Sequence, residues 1–256
     1  PGRLVRSVED MSRMAALTDG IRPADRTNWS ITTISYYPFG AAIALALDLT
    51  LRGRSEGRVT LDDFMREMWQ RYGKPGGARQ GHVDRPYAVS DAEAVLADIA
   101  GDPALARDFF ARYVQGRELA DYARLLAPAG FVLRPAAPGR AWLGDLQLGA
   151  GGDGAAIATL VAPTWPIYAA GVDQFDEIRQ LDGVRIGSMD DVENVLRRHT
   201  PGDRLTMVFV DRTGRPTAGT VTLAEDPHLR VVPMEAEGGA LTAAQRAFRT
   251  RWLGPR

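Results

Sequence analysis

The chain has no cysteine among its 256 residues. Disulfide crosslinks and thiolate metal sites are therefore excluded. A cysteine-free sequence is compatible with the reducing cytosol and with a periplasmic protein that needs no crosslinks. The sequence therefore does not distinguish a periplasmic from a cytoplasmic location.

The chain also lacks an excess of charge of either sign and a long apolar run. Its 31 Lys and Arg residues stand against 32 Asp and Glu residues, for a formal charge of −1, so neither nucleic acid nor an anionic membrane surface is an expected partner. The longest apolar run, Ala41 to Leu47, is far shorter than the roughly 20 residues that span a bilayer. It predicts a core helix.

Histidine is scarce as well. His82, His199 and His228 are the three in the chain, and no two have the helical spacing of an H-E-x-x-H zinc motif. We therefore expect no metal or other cofactor in this chain. Each histidine is expected to be isolated, with a structural or solvent-exposed role.

The hydrophobic pattern divides the chain into two parts, in keeping with its length. Residues 1–134 predict helices, with capping signals at Thr60, at Ser90–Glu93 and at Asp102-Pro103, and one long loop over Lys74–Pro86.

Beyond Pro135–Gly139 the apolar runs become short and β-branched, which predicts a small β-rich α+β module over residues 140–226. Residues 227–256 form a tail in which Thr242–Gln245 predicts a last helix. The predicted strands are Leu143–Leu148, Ala156–Val161, Glu177–Leu181, Leu205–Val210 and Thr217–Leu223, with a helix from Ser188 to Arg198 and an Asp182-Gly183 hairpin turn.

The second part resembles a PDZ domain of the bacterial protease type. The matching segments are Trp142–Leu148, Pro163–Gly171, Gln174–Gly183 and Pro201–Asp203. Such a domain binds an extended peptide as an added strand and holds its free carboxylate on backbone N–H groups. The resemblance therefore implies the C-termini of peptides or proteins as partners.

Carried over residue by residue, the resemblance puts the carboxylate-binding loop at Trp142, Leu143 and Gly144. Leu146 and Leu148 then lie on the receiving strand, and the groove helix carries the apolar residues Val192, Val195 and Leu196. Apolar residues of this kind equally suit the core of the domain. The sequence leaves both roles open, and for Leu148 and Val195 it favours neither the groove nor the core.

The chain as a whole resembles the glycyl aminopeptidase family of gluzincin-like zinc metallopeptidases. The motifs that carry the resemblance are Ser35-Tyr-Tyr-x-x-Gly40 with its apolar helix, Thr60-Leu-Asp-Asp-x-Met-Arg-x-x-Trp69, Asp108–Gly116, the PDZ-like segment and Trp252-Leu-Gly254. The implied fold is multidomain, α and α+β: a helical layer from the C-terminal part of a thermolysin-like catalytic domain, followed by a PDZ-like β-rich domain in a bacterial-type protein.

The resemblance also implies an activity. The parent enzyme would use zinc to remove N-terminal glycine or another small residue from a peptide substrate, with its zinc ligands before residue 1, so that this chain alone is inactive. Tyr37 matches the tyrosine that donates its hydroxyl to the oxyanion in related aminopeptidases, although Phe39 stands where their motif has Lys. Tyr36 is the next candidate, and simple packing is the competing role for Tyr37.

Two other interpretations differ in class. The chain equally suits a non-catalytic scaffold that binds peptides through a PDZ domain. A missing zinc motif does not separate the two, because neither this scaffold nor the zinc-free part of an enzyme would contain it. A serine protease is poorly supported, because the sequence has no Gly-x-Ser-x-Gly.

Overall fold

The structure is a computed structural model that describes residues 2–15 and 32–254. The part of the predicted helical region between them lies outside the described residues. The chain forms two compact units, which we describe separately: a helical unit, mainly Ile34–Leu133 and Val231–Arg256, and a β-rich unit, mainly Arg134–Arg230. No helix in the described parts is long and apolar enough to cross a membrane.

The elements described before β1 (Phe131–Pro135) are all helices, which agrees with the helical pattern predicted for this region. The helices are α1 (Gly2–Val5), α2 (Val8–Arg13), α3 (Tyr36–Ser55), α4 (Leu61–Met68), α5 (Val89–Ala100), α6 (Pro103–Phe109) and α7 (Tyr122–Leu126). Two of them continue as π-helical turns, α4 into Trp69–Gly73 and α6 into Phe110–Val114, and α7 continues as a 3₁₀ turn, Ala127–Ala129.

The predicted start of α4 is confirmed, because Thr60 and Asp63 exchange hydrogen bonds in a capping box. The prediction for α5 is wrong by two residues. The N-cap is Ala88 rather than Ser90, since the carboxylate of Asp91, and not that of Glu93, accepts from the cap N–H at 2.8 Å.

The strands of the chain are short, and the strand pairs within the β-rich unit are antiparallel. The strands are β1 (Phe131–Pro135), β2 (Ala141–Trp142), β3 (Leu148–Ala150), β4 (Ala155–Ile157), β5 (Glu177–Leu181), β6 (Val184–Arg185), β7 (Arg204–Val210), β8 (Pro216–Thr222), β9 (Ala224–Glu225) and β10 (Leu229–Pro233). The main sheet has the order β3-β4-β5-β7-β8, with β6 also paired to β5, while β2 pairs with β9 and β1 with β10. Two helices, α8 (Pro166–Ala169) and α9 (Met189–Leu196), complete it.

The turn prediction at Asp182-Gly183 is confirmed. Both residues have positive φ, 50° and 73°, between paired strands β5 and β6. The single strand predicted over Leu143–Leu148 is wrong: β2 ends at Trp142 and β3 begins at Leu148. No ladder forms over the intervening backbone, where the Leu143 carbonyl instead accepts from the N–H of Ile167 in helix α8.

After the β-rich unit, the chain returns to the helical one. A 3₁₀ turn (Met234–Glu237) leads to the last helix, α10 (Ala243–Leu253), whose predicted Thr242–Gln245 capping box is confirmed. Phe248 is buried in a small apolar cluster with Leu49, Leu126 and Ala129. The tail is therefore part of the core of the helical unit.

Phe248→Ala tests this role of α10. Removing a buried aromatic ring costs about 3–5 kcal/mol, so the variant should unfold at clearly lower urea concentration when helical circular dichroism is followed. Leu253→Ala is the control, because Leu253 lies on the same helix with 45% of its surface exposed. Equal loss in the two variants would contradict a core role for Phe248.

Candidate functional site

The main sheet of the β-rich unit ends at β3, which is an edge strand. Opposite Leu148 lies Ile157, whose N–H donates to the Asp176 carbonyl at 2.9 Å and whose carbonyl accepts from Phe175 at 3.0 Å. Both backbone groups of Ile157 therefore face β5. Since antiparallel pairs alternate, the N–H and C=O of Leu148 point to the outer edge, where an additional strand could pair.

The structure divides the eight predicted peptide-binding residues into two equal groups. The first group is buried in the main apolar core of the unit: Leu143, Leu146, Val192 and Val195. The second group is half-buried and reaches the surface: Trp142, Gly144, Leu148 and Leu196.

A cavity of about 370 Å³ opens beside the C-terminal end of α9. One wall is Gly139, Arg140 and Ala141, which lead into the predicted carboxylate-binding loop, and the other includes Leu196 and Arg197. The two exposed guanidinium groups outnumber the single carboxylate of Glu193 in this lining, which favours an anionic ligand. Sequence reasoning missed Arg140; the available signal was a cation two residues before the loop.

Glu193 and His199 complete the cavity lining. His199 is not isolated as expected: its Nε2 lies 3.2 Å from the Asp182 carboxylate and its Nδ1 lies 3.4 Å from that of Asp203. Folding supplies these partners from the hairpin turn and from the loop after α9. The imidazole therefore links two loops at this end of the unit.

The predicted carboxylate-binding loop, Trp142–Gly144, is packed against Trp165. The rings of Trp142 and Trp165 meet edge to face with centroids 6.1 Å apart. Gly144 has φ +143°, and a Cβ there would lie 2.7 Å from Cε3 of Trp165. Only glycine fits this position without displacing the indole.

His228 also has carboxylate partners, contrary to expectation. Its Nδ1 lies 2.6 Å from the buried carboxylate of Asp226, and its Nε2 lies 3.5 Å from that of Asp145. The hydrogen bond with Asp226, followed by the charge of Asp145, raises the pKa of His228 above its ordinary value.

The pKa of Asp226 is shifted in the opposite direction. Burial alone would raise the pKa of Asp226, but the bonds from the backbone and ring of His228, and the charge of Arg140 at 3.7 Å, leave it below its ordinary value. The anionic form of the buried Asp226 carboxylate is therefore favoured by its contacts with His228 and Arg140.

Tyr36 and Tyr37 begin α3 in the helical unit, with ring centroids 4.6 Å apart. Tyr37 is 64% exposed, while Tyr36 is half-buried. The catalytic role stays a prediction for both.

The resemblance implies a zinc ion held by residues before residue 1, and the described residues offer no ligand set of their own. Within residues 2–15 and 32–254, no group of three or more His, Cys, Asp or Glu side chains is arranged to hold a metal ion. A catalytic zinc site takes three protein ligands. No chemical step on the described residues is therefore assigned to a metal.

No family model matches the sequence, and no curated protein matches it. Among solved structures, the chain is similar to an aminopeptidase N family protein from Idiomarina loihiensis, with a TM-score of 0.66 and 20% identity over 99% of this chain. The chain spans 41% of that protein. At this identity the similarity establishes the fold alone.

Two protease structures match smaller parts. The HtrA-type protease AlgW with a decapeptide matches 35% of this chain and 30% of its own, with a TM-score of 0.31 and 21% identity. The serine endoprotease from Yersinia pestis matches 33% of this chain and 29% of its own, with a TM-score of 0.28 and 20% identity. TM-scores this low indicate neither the fold nor the function of this chain.

Gly144→Ala tests the tight contact in the loop. The added methyl group clashes with Trp165 at an unfavourable φ, so we expect the β-rich unit to lose about 1–3 kcal/mol of unfolding free energy and the tryptophan fluorescence to change. Gly149→Ala on β3 is the control, because a Cβ there meets nothing within 4 Å. Unchanged stability in Gly144→Ala would show that the loop relaxes freely.

Proposed function

We propose that the β-rich unit is a PDZ-type module that captures the free C-terminus of an extended peptide. The peptide would pair with the outer edge of β3 and lie between β3 and α9. The observation that carries the proposal is the edge position of β3, with the backbone groups of Leu148 directed outward.

The half-buried side chains suit this geometry. Leu148 and Leu196 pack on the margin of the apolar core without being covered by it, so an apolar peptide side chain would extend that core. Binding by an added strand draws affinity from main-chain hydrogen bonds and specificity from alternate side chains.

The charge of Arg140 favours binding of the peptide's C-terminal carboxylate. Arg140 lines the cavity and immediately precedes β2 and the loop, and its side chain is about half exposed beside Asp226. A ligand carboxylate at the loop would gain charge-assisted hydrogen bonds from N–H groups and from this guanidinium.

We further propose that the chain is part of a zinc aminopeptidase of the glycyl aminopeptidase type, with a preference for N-terminal glycine or small residues. The zinc-binding residues would lie in a part of the protein that this sequence does not include. The shared fold over 99% of the chain and the 41% coverage of the aminopeptidase N family protein support this proposal. In it, the Tyr37 hydroxyl donates to the oxyanion formed at the substrate carbonyl.

The alternative is a peptide-binding scaffold without catalysis. The lack of a metal-ligand cluster among the described residues is compatible with both functions, because the aminopeptidase proposal places the zinc ligands outside this sequence. Both functions use the same groove, so the first experiment addresses the groove and the second addresses catalysis.

Peptides with a free C-terminus should bind more tightly than the same peptides with a C-terminal amide. A charge-assisted hydrogen bond contributes about 1.5–3 kcal/mol, which corresponds to roughly 10–100-fold in affinity. Isothermal titration of matched pairs measures this difference, and equal affinities would contradict carboxylate capture.

N-methyl groups placed at successive peptide positions provide the control for strand addition. In an antiparallel pair, every second N–H bonds to the neighbouring strand. Affinity should therefore fall for methylation at alternate positions and change little at the positions between them. A uniform effect along the peptide would contradict strand pairing.

Tyr37→Phe should lower the turnover number of the complete aminopeptidase by about 10²–10³-fold, because it removes one transition-state donor and keeps the ring. Melting temperature should change little, since Tyr37 is exposed. Tyr36→Phe is the matched control on the adjacent ring. Full activity in Tyr37→Phe assigns Tyr37 to packing, and loss in Tyr36→Phe alone transfers the donor role to Tyr36.

A further inference from the structure

Asp145 directly follows the carboxylate-binding loop and carries a negative charge where a negative ligand would bind. Its Oδ1 accepts from Nε1 of Trp142 at 2.9 Å, and its Oδ2 lies 3.5 Å from Nε2 of His228. Without a positive partner, this carboxylate would repel the carboxylate of a peptide C-terminus.

His228 is held in place from the opposite side. The buried carboxylate of Asp226 lies 2.6 Å from Nδ1 of His228 and also accepts from the backbone N–H of His228 at 2.9 Å. The Asp226 N–H in turn donates to the Arg140 carbonyl at 2.9 Å. The imidazole is thus anchored by a buried anion and directed at Asp145.

We propose that His228, anchored by Asp226, neutralises Asp145 and fixes the carboxylate-binding loop through Trp142, so that capture of peptide C-termini depends on pH. This inference rests on the proposed function of the groove. It adds a positioning residue that lies far from the loop in sequence and does not itself touch the ligand.

The direction of the pH effect follows from the groups around the imidazole. The charged groups that face His228 are Asp226, Asp145 and Arg140. The two carboxylates raise the pKa of His228, and Arg140 opposes them. The imidazolium is therefore present at low pH and is lost as pH rises through this raised value, which leaves Asp145 uncompensated.

The affinity of a free-acid peptide should accordingly fall about two- to fivefold as pH rises through the His228 titration, as expected for a partly exposed charge pair. The amidated peptide should show no such change. In His228→Gln the free-acid affinity should be low at every pH, in His228→Arg it should be high at every pH, and in Asp145→Asn it should not change with pH.

The free protein supplies a readout that does not require a ligand. The indole N–H resonance of Trp142, assigned with Trp142→Phe, should shift with pH at the same midpoint as the ring protons of His228. The shift should vanish in His228→Gln and persist in His82→Gln, whose histidine lies exposed in the other unit.

The two readouts separate the possible failures. A Trp142 resonance that ignores His228, or peptide binding that is independent of pH, overturns the inference and leaves the proposed function standing. A Trp142 resonance that follows His228, in a protein that binds neither peptide at any pH, overturns the proposed function and the pH-dependent capture with it.

Discussion

Backbone hydrogen bonding in the main sheet is the constraint on which the β-rich unit depends. Every strand must pair its N–H and C=O groups, and the sheet satisfies this internally from β4 to β7. The sheet ends at β3, where the backbone N–H and C=O of Leu148 point outward. An edge of this kind is either protected or used for recognition, and the short length of β3 limits how many residues of a partner can pair there.

The apolar residues around this edge serve two purposes that one pattern of hydrophobicity cannot distinguish. Val192 and Val195 complete the core, while Leu196, one residue further along α9, remains half-buried. Helical spacing indicates which residues share a face. It does not indicate where the neighbouring element stops covering that face, because this depends on the path of the segment that leads into β2 and lines the cavity beside Leu196.

Features set by neighbouring residues were predictable from the sequence. The Thr60 and Thr242 caps and the Asp182-Gly183 turn depend on residues within one helical turn of each other. The break between β2 and β3 was not predictable, since it depends on a hydrogen bond from Ile167 to Leu143.

The partners of the histidines were not predictable for the same reason, because some of them are distant in the sequence. His199 and His228 each look isolated in the sequence, yet folding places carboxylates from other segments beside both rings. The candidate loop was assigned from the resemblance of its sequence to a PDZ domain, whereas its electrostatic surroundings had no such signal. Those surroundings are supplied by Asp145 and by residues that follow β9.

The return of the chain to the helical unit has a consequence for the order of assembly. Residues 134–230, which make up most of the β-rich unit, are all synthesised before Phe248, which completes the apolar cluster around Leu49 and Leu126. During translation from the N-terminus, the β-rich unit has its full set of strands while the helical unit still lacks α10. The apolar surface around Leu49 and Leu126 therefore remains exposed on the nascent chain until α10 has emerged from the ribosome.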